Sequence, residues 1–119
     1  QSPEGADDPN AEILNEIART LEGATDALGR KLEVIRIPSP GLVIDDLGEV
    51  APASHVNFVI ANGVVVVPVY GTPAADRAVA ALQTIFPDRK VVGLSSRALL
   101  GSGIAGGGSF HCITREEPA

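Results

Sequence analysis

The stretch "GSGIAGGGSFHCITREEPA", residues 101–119, holds the chain's single cysteine, Cys112, directly after His111 and a glycine run. A thiol attacks as thiolate, so it needs a base within hydrogen-bond reach or surroundings that lower its pKa from about 8.5. Gly106, Gly107 and Gly108 carry no side-chain bulk, which lets a ligand approach the main chain or lets N–H groups converge on one point. Read as an extended segment, "SFHCIT" places Phe110 and Cys112 on one side and His111 on the other. On that reading His111 is badly aimed to deprotonate its neighbour and has a structural or supporting role. The alternative for Cys112 is a small apolar residue in a last buried strand, since free cysteine is among the most buried residue types. Local chemistry leaves both readings open.

The other groups able to do chemistry are scattered. His55, in "PASHVNF", reads as a solvated loop residue. Asp45, Asp46 and Glu49 could face a cleft but read better as a solvated acidic loop, and Glu116 and Glu117 as exposed. One cysteine and two separated histidines match no metal-ligand spacing, so no metal is expected. The glycine runs lack the Lys-Ser/Thr of a phosphate loop and do not follow the first strand of a βαβ unit.

These residues must be carried by one domain's worth of chain, 119 residues with 45% hydrophobic content. Three Phe, one Tyr and no Trp leave a core of Val, Ile, Leu and Ala. Nine basic against fifteen acidic residues give a net charge of −6. No Lys/Arg cluster is present to draw nucleic acid. No apolar run approaches the roughly 18 residues that span a bilayer. A lone cysteine favours a reducing, cytoplasmic compartment. The absence of methionine reads as a trimmed or excised product.

The elements follow from pattern. "DDPNAEILNEIARTLEGATDALGRK" reads as a helix with Asp8 as N-cap, Pro9 at its first position and a stop at Gly29. Ile13, Leu14, Ile17, Ala18 and Leu21 make one apolar stripe. "LEVIRIP" alternates as a strand, and "SPGLVIDDLGEVAPASH" is a loop. "VNFVIAN" and "VVVVPVY" flank Asn62-Gly63, the signal for a type I′ hairpin. A helix over "GTPAADRAVAALQTIFP" has Thr72 as N-cap and Pro73 at its first position, with Val79, Leu82, Ile85 and Phe86 on one face. "RKVVGLSS" is a strand continuous enough to be buried on both faces. The order from residue 57 is strand, turn, strand, helix, strand.

Three stretches, "ATDALGRKLEVIRIP", "ASHVNFVIANGVVVVPVYGTPAADRAVAALQTIFPDRKVVGL" and "GGGSFHCIT", resemble the agmatine deiminase and bacterial-type peptidyl-arginine deiminase family. The resemblance runs from about Asp8 onward and corresponds to the C-terminal portion of a family chain. It implies an α/β fold, a partial pentein-type propeller with one complete ββαβ module and parts of its neighbours. Residues 1–119 would then be the C-terminal part of a single catalytic domain whose N-terminal part is absent. It also implies that Cys112 is the nucleophile, with Gly107 and Gly108 offering backbone to substrate. The implied reaction is the hydrolysis of agmatine to N-carbamoylputrescine and ammonia through a covalent thiouronium, without a cofactor, as in putrescine and polyamine biosynthesis. Arginine or peptidyl-arginine is the alternative substrate. An inactive fragment or an assembly subunit is the alternative role. The family's proton-shuttling histidine and guanidinium-holding acids lie outside this chain, so a complementary N-terminal segment is an implied partner, with homo-oligomerisation left open. His55 and Val59 stand where the family often has aromatics.

Overall fold

The computed structural model describes residues 1–3, 5, 8–100 and 107–117. The β-branched run "VVVVPV" forms the middle strand of a three-stranded sheet. β1 (Val59–Ala61) pairs antiparallel with β2 (Val64–Val69), and β2 pairs parallel with β3 (Lys90–Ser95). The crossover from β2 to β3 is the helix Ala75–Ile85. Strand, strand, helix, strand is the order expected from residue 57.

Alternation along β2 sends Val65 and Val67 to one face, where they are buried against Ala78 and Leu82 of the crossover helix, with Ile37 and Val91. Phe58 and Phe86 close this core edge to face, with centroids 5.8 Å apart. Gln83 ties the helix to β3: its Nε2 donates to the carbonyls of Phe86 and Arg89, and its Oε1 accepts the Val91 N–H. A second cluster, Val43, Ala51, Tyr70 and Leu100, lies beyond the carboxyl end of β2.

Pro68 inside the middle strand has a physical explanation. The Lys90 and Ser96 N–H groups bond to the Gly63 and Val69 carbonyls, so odd-numbered residues of β2 face β3 and even-numbered ones face β1. Pairing with β1 reaches only Val66, so the missing N–H of Pro68 falls just past the ladder's end. The Pro68 carbonyl on that side is taken by His55 Nδ1 at 2.8 Å.

Several expectations need correction. The turn between β1 and β2 has φ +81° at Gly63, but among the described residues, Asn62 included, none other than glycine has positive φ, so it is not type I′, which requires it at Asn62 too. The first helix, α1, runs Ala11–Glu22 with Asn10 at its N-cap; Asp8 instead accepts the Asn10 N–H in the preceding turn. It stops at Gly23, because Asp26 builds a competing turn: its carboxylate accepts the N–H groups of Leu28 and Arg30 and the Arg30 guanidinium. The same device recurs at Asp45, which accepts the N–H groups of Leu47 and Glu49, so D-x-L-G occurs twice as one turn type. The expected strand at residues 32–38 forms no ladder, only isolated bridges at its ends (Thr25 with Lys31, Ser2 with Pro38). The crossover helix has Ala74 rather than Thr72 at its N-cap, with no side-chain cap; Thr72 contributes its main-chain carbonyl to the Ala75 N–H, and the helix starts two residues beyond Pro73.

Burial departs from expectation on two elements. β3 is buried only at Val91, and Leu94 on its other face is exposed, because the crossover helix covers one side of the sheet. The α1 stripe faces solvent: Ile13, Ile17 and Leu21 are 56%, 48% and 40% exposed, and Ala18 alone is buried. Among the described residues no helix is long and apolar enough to cross a membrane.

Candidate functional site

The segment carrying Cys112 is anchored at the carboxyl ends of the parallel pair β2 and β3, the edge where open α/β sheets place their sites. Gly107 backs so closely onto the Leu100 carbonyl that any Cβ there would collide with it. The Gly108 N–H is given to the Leu99 carbonyl at 3.3 Å. Ser109 is buried, and its Oγ lies 2.7 Å from Ser96 Oγ, just after β3. It also lies 3.4 Å from the hydroxyl of Tyr70, just after β2. The Tyr70 hydroxyl accepts the Ser54 N–H and reaches the Ser54 carbonyl, both at 3.2 Å. Ser54, Tyr70, Ser96 and Ser109 therefore join the loop before β1, the ends of β2 and β3, and the cysteine segment in one buried polar network. Arg97 adds a tie from outside, donating to the carbonyls of Tyr70 and Ile44.

Beyond this anchor the chain does not stay extended. His111–Ile113 winds into a single 3₁₀ turn, so the strand alternation expected for "SFHCIT" is absent. Asn57 causes the winding: its Oδ1 accepts the His111 N–H at 3.0 Å and its main-chain carbonyl accepts the same N–H at 3.3 Å. Thr114 Oγ1 closes the turn on the Phe110 carbonyl at 2.9 Å. His111 consequently does not point to the opposite face. It lines the same cleft as Cys112, about 310 Å³ in volume, together with Ser54, Val56 and Asn57.

Cys112 is exposed, which removes the reading of a buried last strand. Its Sγ receives the Asn57 amide Nδ2 at 3.0 Å. That hydrogen bond, and next the Ser109 main chain, hold the thiol pKa below its ordinary value, with burial acting weakly the other way. Among the described residues the side-chain hydrogen bond to sulfur comes from Asn57, not from His111. Gly108 packs against the cysteine, since a Cβ there would sit 3.1 Å from Cys112 Cβ and 3.7 Å from Sγ. Of the glycines singled out in the sequence, Gly107 and Gly108 thus shape the cysteine segment, and Gly106 lies outside the described residues.

His55 is not a solvated loop residue. It is 0% exposed, holds the Pro68 carbonyl, and its ring lies 5.6 Å from that of Tyr70. The imidazole is packed in the interior between the end of β2 and the Tyr70 ring. Asp45 is consumed by its own turn, and Asp46, Glu49, Glu116 and Glu117 are exposed, as expected of solvated acids. Among the described residues no three His, Cys, Asp or Glu side chains gather in a way that could hold a metal ion. Sequence reasoning missed Asn57, Tyr70 and Ser109. The available signal was the polar pair His55 and Asn57 interrupting an apolar run immediately before β1.

An exposed thiol with a lowered pKa, presented at the strand ends of an α/β sheet, defines the class: a cysteine site in an α/β domain. The chain belongs to the Porphyromonas-type peptidyl-arginine deiminase family, whose model matches residues 1–118. It is 36% identical over 118 residues to a Streptomyces coelicolor protein provisionally named agmatine deiminase, covering 99% of this chain and 33% of that one. It is 37% identical over 130 residues to the agmatine deiminase of Pseudomonas aeruginosa, covering 95% and 34%. The structure superposes on the Enterococcus faecalis agmatine deiminase with a TM-score of 0.85 at 32% identity, over 97% of this chain and 35% of that one. The chain spans about a third of the length of the relatives it matches.

Proposed function

We propose that this chain supplies the nucleophile of a guanidine deiminase acting on agmatine. The observation that carries the reading is the exposed Cys112 sulfur held at 3.0 Å from the Asn57 amide, with its pKa lowered, in a family of deiminases. The Cys112 thiolate attacks the guanidinium carbon, and the resulting tetrahedral adduct expels ammonia to leave a covalent thiouronium. Water then adds to the same carbon, the C–S bond breaks, and N-carbamoylputrescine leaves with the thiolate restored. The sum is agmatine plus water giving N-carbamoylputrescine plus ammonia. A cationic substrate further favours the thiolate as it binds. The proton-shuttling histidine and the acids that hold the guanidinium come, on this reading, from a complementary N-terminal segment.

The ββαβ unit is then one blade of an α/β propeller, and the exposed α1 stripe and the open face of β3 are surfaces that the rest of the assembly covers. An exposed free thiol suits a reducing, cytoplasmic setting. The family's own name favours a second substrate reading, peptidyl-arginine, by the same chemistry. Ammonia release from agmatine, free arginine and a peptidyl-arginine, measured side by side as kcat/KM on the protein expressed from its complete gene, separates these. Agmatine is expected to give the highest value; no release from any of them ends the proposal.

A further inference from the structure

We propose that Ser109 is a positioning residue of the cysteine site: its side chain, sunk against the Ser96 hydroxyl at the end of β3, fixes the main-chain group that meets the Cys112 sulfur. This rests on the reading of Cys112 as nucleophile. Five polar or charged side chains are buried among the described residues, and two of them, Ser96 and Ser109, meet at 2.7 Å. Both are 0% exposed, so neither hydroxyl has water to fall back on. A short bond between two enclosed hydroxyls is costly to leave unmade and holds Ser109 to one place. Tyr70 bounds the Ser109 hydroxyl on another side, at 3.4 Å.

The anchor has a rigid origin. The Ser96 N–H donates to the Val69 carbonyl at 3.0 Å, so Ser96 is fixed by the bond that closes the ladder between β2 and β3. Gly107 lies against the Leu100 carbonyl and the Gly108 N–H is spent on Leu99, so the main chain just before Ser109 is held as well. On the outgoing side, the Ser109 main chain hydrogen-bonds the Cys112 sulfur and, after Asn57, helps to lower the thiol pKa. A main chain has one donor, its N–H, and that donor serves a charged thiolate better than a weakly accepting thiol. The two ends of Ser109 therefore have separate tasks: the hydroxyl is anchored in the interior, and the N–H meets the nucleophile at the cleft. Releasing the hydroxyl releases the N–H with it. Ser39 supplies the contrast. It is also buried, 2% exposed, but its hydroxyl accepts the Gly41 N–H at 3.1 Å and it does not line the cysteine cleft.

The substitution that separates anchoring from donation is Ser109→Ala, which keeps the main-chain N–H and removes only what holds it. On the protein expressed from its complete gene, Cys112 alkylation by iodoacetamide is followed against pH in Ser109→Ala, Ser96→Ala, the double variant and Ser39→Ala, beside thermal unfolding. In Ser109→Ala the rate at neutral pH is expected to fall roughly two- to tenfold, the factor carried by one net hydrogen bond, with the inflection displaced upward and the plateau at high pH preserved. Ser96→Ala should move the profile the same way, and the double variant should go no further than Ser109→Ala, because both act through one link. Ser39→Ala should lower the unfolding temperature and leave the profile in place. On agmatine, kcat at neutral pH should fall with the alkylation rate while KM holds, since a hydroxyl with 0% exposure is out of a substrate's reach. Where Ser109→Ala does not fold, Ser96→Ala, which retains the contact between Ser109 and Tyr70, carries the same test. A profile unmoved by Ser109→Ala and Ser96→Ala, or moved as far by Ser39→Ala, overturns the assignment. A profile that follows Ser109 in a protein without guanidine turnover sinks the deiminase reading and leaves the assignment of Ser109 standing.

Discussion

Hydrogen-bond donors aimed at Cys112 act on its chemistry through sign. A lowered pKa means that the reactive thiolate is populated at lower pH, so alkylation of the native protein should reach its plateau before that of a free cysteine, near pH 8.5. Unfolding in guanidinium should return the inflection to that ordinary value. Replacing Cys112 by Ala should lower agmatine turnover by at least about 10³-fold while leaving thermal unfolding nearly unchanged, because the side chain is exposed. Gly108→Ala offers a finer probe. Its new methyl would press on Cys112 Cβ from 3.1 Å, so kcat/KM should drop more than stability does. The assignment of Cys112 as nucleophile, which remains the proposal, came from the sequence only by resemblance. Cysteine type and glycine neighbours could not tell an exposed site from a buried strand. Asn57 was marked only as one of two polar residues just before β1, and nothing local identifies it as the partner of a residue so far along the chain.

At the scale of elements, the parts that periodicity dictates were readable and the parts that side chains dictate were not. β2, the crossover helix and β3 follow from an apolar run, a stripe at helical spacing and a turn signal, and they form at the expected places. The end of α1 was misplaced because Asp26 offers the backbone a local alternative to the helix, which composition does not rank. The cysteine segment was misread as extended because its conformation is imposed by Asn57 and by the buried hydroxyls of Ser96, Ser109 and Tyr70. Tyr70→Phe removes the link from Ser54 to Ser109 and should cost about 1–3 kcal/mol in chemical denaturation, as expected when buried polar groups lose their partner. Gln83→Ala leaves two carbonyls and an N–H at the start of β3 without their amide partner and should cost a similar amount. Unlike Tyr70→Phe, it should leave the alkylation profile of Cys112 unchanged.

At the scale of the whole molecule, the apolar surface is distributed in a way that suits assembly. Ile13, Ile17 and Leu21 form a stripe with no described partner, and β1 and β3 are both open sheet edges. The 119-residue chain on its own should therefore self-associate, and the triple change of Ile13, Ile17 and Leu21 to Ser should shift it toward monomer in analytical ultracentrifugation. A monomeric parent chain would speak against the stripe as an assembly surface. The central claim, that Cys112 forms the covalent intermediate of guanidine hydrolysis, is tested most directly by trapping. The protein expressed from its complete gene is mixed with agmatine, quenched in acid during turnover and digested for mass spectrometry. The account predicts an amidine adduct on Cys112 that appears during turnover and disappears once substrate is exhausted and N-carbamoylputrescine has accumulated. Product formation with Cys112 unmodified, and retained in Cys112→Ala, would contradict it.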